Sequence, residues 1–202
     1  MQCLNNNTYM NIVMLDRIRE KINGTMNKCI LIILLLIASL TIQGQTTTFL
    51  GIPVDGIKTE MIKKLKEKGF KQEADHDWLT GEFNGKDVVV TVVTNNNKVY
   101  RVYVLDEYPT SEGNIIISYN HLIAQFQNNA RYTTVGITKI PDDEDFDLDY
   151  EINVNNKRYQ ASFIQNGQPN NSVWFMIFYG YGGYRIGIYY DNNANAANGE
   201  DL

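Results

Sequence analysis

Two cysteines, Cys3 and Cys29, and two histidines, His76 and His121, are all that the 202 residues hold of either type. Both cysteines lie before residue 46, so the chain beyond has no disulfide, no cysteine nucleophile and no cysteine metal ligand. Positive charge is also in deficit, with 18 Lys and Arg against 23 Asp and Glu and a net charge of −5. An acidic chain with scattered basic residues suits neither nucleic acid nor an anionic membrane. No apolar run reaches the roughly 20 residues that span a bilayer. The serines after residue 45 (Ser111, Ser118, Ser162 and Ser172) stand in neither G-x-S-x-G nor S-x-x-K.

The most apolar stretch, Ile30 to Leu40 (ILIILLLIASL), has the length of a signal-peptide core, about 7–15 residues. Met26-Asn27-Lys28 before it supplies a start and a positive charge. Ser39 to Gln45 behind it gives a small-residue exit, with cleavage expected near Gly44 or Gln45. Residues 26–45 are therefore read as a signal peptide and residues 1–25 as an over-extended gene start. The competing reading keeps Met1 and makes the run an uncleaved anchor, against which its shortness and polar exit argue. Cys29 precedes the apolar run, whereas a lipidated cysteine follows it, so no lipid anchor is expected. Removing the first 45 residues, with four basic and two acidic among them, takes the charge from −5 to −7. The expected location is periplasmic or extracellular.

Periodicity organises the rest. Ile57, Met61 and Leu65 recur every four residues, with Asp55 as expected N-cap, Gly69 at the C′ position and Phe70 beyond it. Leu79–Phe83, Asp87–Thr94 and Val99–Leu105 read as strands joined at Asn84-Gly85 and at Asn95–Asn97. Ser111 caps a second expected helix, in which Ile115, Tyr119, Leu122 and Phe126 share a face. Strands are then predicted over Phe146–Val154, Arg158–Gln165, Ser172–Tyr179 and Tyr184–Tyr190. The fold class is α+β: an antiparallel sheet of about seven strands with two helices on one face, in tandem αβββ-like halves. The single domain covers residues 46–190, its halves 46–108 and 109–190, and the Asn/Ala-rich 191–202 reads as a disordered tail.

The run FLGIPVDGIKTEMIKKLKEKGF, then LTGEFNGKDVVVTVV and YNHLIAQFQNNARY, resembles uncharacterised exported proteins of Bacteroidetes type, best over residues 48–132. The helix-plus-antiparallel-sheet repeat also resembles beta-lactamase-inhibitor-protein and small outer-membrane assembly lipoprotein architectures. That resemblance implies binding to other proteins and assigns no catalytic residue. The lipid-anchor cysteine of the second group is missing here.

Three places offer chemistry. His76, within Ala74-Asp75-His76-Asp77, has carboxylates beside it to orient an imidazole, against the plainer reading of a solvated loop. Asp145, Asp147, Asp149 and Glu151 alternate with Phe146, Leu148, Tyr150 and Ile152, and period two places the four carboxylates on one strand face. Clustered oxygens suit calcium, against a solubilising edge; Leu148 stands where an EF-hand loop needs glycine. In Val173–Tyr179 (VWFMIFY) both faces are apolar, which predicts cover on both sides. The glycine-rich turn after it adds tyrosines, so Trp174, Tyr179, Tyr181 and Tyr184 are the expected contact residues. The function expected is a non-catalytic binding module meeting a protein or glycan of the cell envelope. The alternatives are a small envelope hydrolase using carboxylates or His76, or a calcium-stabilised structural domain.

Overall fold

A computed structural model describes residues 46–196, except Asp142 and Glu144. By contacts the chain falls into two units, 1–44 and 45–202, and every described residue belongs to the second. The signal-peptide segment, Cys3, Cys29 and residues 197–202 lie outside the described residues.

The chain enters through a short hairpin, β1 (Thr48–Phe49) and β2 (Ile52–Pro53), followed by helix α1 (Lys58–Glu67). Strands β3 (Trp78–Phe83), β4 (Lys86–Asn95) and β5 (Lys98–Asp106) come next, then helix α2 (Glu112–Gln127). The second half continues as β6 (Tyr132–Ile137), a short helix α3 (Leu148–Asn153), β7 (Gln160–Gln165), β8 (Asn171–Gly180) and β9 (Gly183–Asn192). The seven longer strands form one antiparallel sheet in the order β3-β4-β5-β9-β8-β7-β6, and β1-β2 forms a separate pair. The two halves join through their last strands: Tyr103 pairs with Tyr189 and Val104 with Ile188. The protein is α+β, as its periodicity predicts.

Alternation sends one set of each strand inward. Val88, Val90, Val92, Val102, Val104, Phe163, Val173, Phe175, Ile177, Ile186 and Ile188 are buried there. Helix α1 covers this face with Met61 and Leu65, and α2 with Ile115, Tyr119, Leu122 and Phe126. Gly69 at φ +99 ends α1, and Phe70 turns back to donate its N–H to the Leu65 carbonyl. Rings interlock beneath the helices: Phe126 lies 4.9 Å from Phe163 and 5.5 Å from Phe175, and Tyr119 meets Phe175 edge-on. Among the described residues no helix is long and apolar enough to cross a membrane.

Four expectations change. Ser111 stands at the α2 N-cap as read, but the α1 N-cap is Ile57, and Asp55 instead accepts from Gly56 N and Asn195 Nδ2. Phe146–Val154 is not a strand. Asp147 Oδ1 accepts from Tyr150 N at 2.8 Å and starts α3, in which Leu148 is the buried residue. The missing strand is β6, a mostly exposed sheet edge with a register shift between Thr134 and Gly136, so no apolar alternation marks it. In the seven-stranded sheet the second half thus supplies four strands and the first three. Lastly, Asp191 and Asn192 are buried strand residues rather than the start of a tail, because their side chains have partners on the sheet and on β2's neighbour Val54.

Candidate functional site

Among the described residues, no helix lies over the opposite face of the sheet. Its cross-strand rows run Thr91–Tyr103–Tyr189–Trp174–Ser162 and Val89–Leu105–Gly187–Met176–Gln160. The large side chains here are half-buried, so the expected second cover on VWFMIFY is not another element. They cover each other. Trp174 stacks on Tyr189 at 3.8 Å with planes 8° apart, and Tyr189 on Tyr103 at 4.6 Å. Gly187 makes room, since a Cβ there would stand 2.6 Å from the Phe178 ring and 2.8 Å from that of Tyr103.

One charged pair fixes this row. Asp191, with 6% of its side chain exposed, accepts Arg101 Nε at 2.6 Å and Nη2 at 2.8 Å, a two-pronged fit of fork to carboxylate. Trp174 Nε1 donates to the same carboxylate at 3.0 Å, and the guanidinium lies 4.9 Å over the Tyr189 ring. Its hydrogen bonds to Asp191 hold the Arg101 guanidinium above its ordinary range despite partial burial. Burial foremost, then neighbouring Tyr189, pushes the Tyr103 phenol up.

At the β8–β9 turn the face ends in a pocket of about 220 Å³, lined by Tyr103, Leu105, Phe178, Arg185, Gly183 and residues 179–181. Tyr181 is fully exposed at its tip. Gly183, at φ +132, lets Thr110 approach, and Thr110 and Tyr184 exchange backbone hydrogen bonds at 2.8 and 2.9 Å. The turn is thus anchored at its base. Of the four expected contact residues, Trp174 lies on the open face and Tyr181 on the tip. Tyr179, half exposed, stands opposite Tyr184 at 5.0 Å. Tyr184 itself is only 5% exposed and faces the core, where alternation puts it with Ile186 and Ile188. Arg101, Tyr103, Phe178, Arg185 and Tyr189 were missed, and only the two-sided apolar pattern of β8 hinted at them.

The acidic segment does not form a carboxylate face. Asp147 caps α3, Asp149 accepts from Asn153 Nδ2 at 2.7 Å and from the Tyr184 hydroxyl at 3.4 Å, and Asp145 N donates to Asp143. Glu151 accepts from Asn155 and pairs with Lys157, and the hydrogen bonds from those two lower its carboxyl below the usual range. Among the described residues no group of three or more His, Cys, Asp or Glu is placed to hold a metal ion.

His76 stacks on Trp78 at 4.1 Å and meets Glu73 at 3.3 Å, with 39% of its side chain exposed. His121 is exposed on α2, beside a cavity of about 100 Å³ over Val88, Val104, Ile186 and Ile188. There Lys86 Nζ donates to Ser118 Oγ at 3.2 Å and to Asp106 Oδ2 at 3.3 Å. A serine beside a lysine suggests a nucleophile and its base, but the same Lys86 Nζ also pairs with the Asp106 carboxylate at 3.3 Å, which accepts from Ile186 N as well. Next to it, Thr48, Leu50, Phe83, Leu122, Phe126, Arg131 and Tyr132 help line a wider cleft of about 570 Å³. The reciprocal amide pair Asn84–Gln125, at 2.8 and 3.3 Å, stands between the two.

Known proteins offer no analogy. No family model, no curated protein and no solved structure matches the chain.

Proposed function

We propose that the protein is an exported, non-catalytic binding module of the cell envelope, meeting a protein or glycan partner through the open face of its sheet and the β8–β9 turn. The observation that carries this reading is the aromatic row Tyr103–Tyr189–Trp174, outside the core and locked by Arg101–Asp191. Soluble domains seldom leave large apolar side chains contiguous on a surface unless the surface meets something. Rings already stacked and hydrogen-bonded lose little freedom on binding, which favours affinity. Aromatic and arginine side chains are also the types that dominate contact energy.

The test compares retention of envelope glycan and detergent-solubilised envelope protein on immobilised protein. The double variant Tyr103→Ser/Trp174→Ser is expected to lose retention, whereas Lys63→Ser/Lys66→Ser on α1 keeps it. Equal retention by both variants, with melting showing each folded, overturns the reading.

A further inference from the structure

Two arginines stand on the open face, and they differ. Arg101 is held by the Asp191 carboxylate. Arg185, two strand positions before the Gly187 gap, forms no ion pair and no side-chain hydrogen bond among the described residues, and its Nε is buried with no partner. A buried donor left unmatched costs about 1–3 kcal/mol, so such a group calls for a reason. Arg185 lines the 220 Å³ pocket at the turn together with Tyr103, Phe178 and Tyr181. Swinging it outward breaks no bond.

We propose that this pocket binds a sugar ring bearing a carboxylate, a uronate residue of an acidic glycan, with Arg185 on the carboxylate and Tyr103 and Tyr181 on the ring. The inference rests on the open face being the contact surface and names the chemistry of one end of it. Three observations select this ligand. The guanidinium fork matches a carboxylate's two oxygens. The space fits one ring, and its walls offer aromatic surface with tyrosine hydroxyls to meet sugar hydroxyls. A peptide would need backbone partners, and β5, β9 and β8 around the pocket are each paired on both sides. The net charge of −5 also disfavours a densely charged polyanion and suits a single carboxylate at a time.

The test is a titration of the full domain, following the Arg185 Nε–H resonance by NMR. The probes are methyl β-glucuronoside, methyl β-glucoside, acetate and benzoate. The glucuronoside is expected to shift the Arg185 signal and to bind about tenfold more tightly than each of the others, one charge-assisted contact being worth about that factor. Arg185→Lys is expected to lose the same factor with the backbone spectrum otherwise kept. If that variant unfolds, the resonance of the native protein still decides. Equal binding of glucoside and glucuronoside overturns the proposal, as does acetate or benzoate binding as tightly. Failure of all four probes while Tyr103→Ser/Trp174→Ser still abolishes envelope retention overturns the pocket assignment and leaves the binding face standing.

Discussion

The two faces of the sheet solve the same problem differently. On the inner face, apolar side chains are sealed by helices, and nearly every contact is hydrocarbon on hydrocarbon or ring on ring. On the outer face no helix arrives among the described residues, and the strands are shielded by side chains laid along the sheet and tied by one buried carboxylate. The inner solution depends on volume and the outer on orientation. A packed interior tolerates chemistry changes that keep shape. The outer row depends on a charge, so a change of charge at constant shape is enough to disturb it.

That contrast can be broken from either side. Phe175→Ala removes a fully buried ring touching Tyr119, Phe126 and Phe163, and is expected to cost about 3–5 kcal/mol in urea unfolding. Asp191→Asn keeps the shape and removes the charge, stranding Arg101. The expected loss is about 2–3 kcal/mol, less than for a fully buried pair because the Arg101 side chain is 29% exposed. Near-UV circular dichroism should lose the Trp174–Tyr189 signal in that variant while far-UV dichroism stays.

Alkaline pH bears on both faces, since burial raises the phenol of Tyr103 outside as well as those inside. Burial holds the phenols of Tyr119 and Tyr190 above their ordinary value of 10.0, so the folded protein keeps them neutral where the unfolded chain ionises. Their contribution is whole below pH 10.0 and is lost as pH rises from there toward the folded values. The slope is up to about 1.4 kcal/mol per pH unit for each tyrosine. The urea midpoint should fall above that pH, and Tyr190→Phe should flatten the fall. The smallest effect is expected from Gly187→Ala, whose methyl displaces the Phe178 and Tyr103 rings at about 1 kcal/mol. It should alter the pocket more than it alters stability.

Much of this fold is legible in the sequence, for local reasons. Val88, Val90 and Val92 alternate on one strand, and Ile115, Tyr119, Leu122 and Phe126 fall on one helical face, so burial and period coincide. The turns at Asn84-Gly85 and Asn96-Asn97 carry positive φ at residues that tolerate it. Where the reading fails, two periods fit equally. Leu148 and Ile152 suit both a strand and a single helical turn, and only Asp147 reaching Tyr150 N decides between them. The β6 edge gives no signal because it buries almost nothing. The open face was legible as composition, in VWFMIFY, but not as geometry. Arg101 and Asp191 are ninety residues apart in sequence, and no local pattern announces that they meet.

The first described strand is held by residues from the far end of the chain. Gln165 accepts from Thr48 N at 2.6 Å and donates to its carbonyl at 3.1 Å, Thr47 donates to the Asp191 carbonyl, and Asn192 reaches the Val54 carbonyl. In the order of synthesis these are the earliest and the latest parts of the domain. A chain emerging N-terminus first therefore gains the Gln165 contacts to β1 with β7, and the contacts to Thr47 and Val54 only with β9, on which the β5–β9 join also waits. Folding is thus scheduled by the last strand. A chain cut before Asp191 would lose the carboxylate of the outer row together with the partners of Thr47 and Val54 on either side of the first hairpin, so loss of those residues would be felt at both ends of the domain at once.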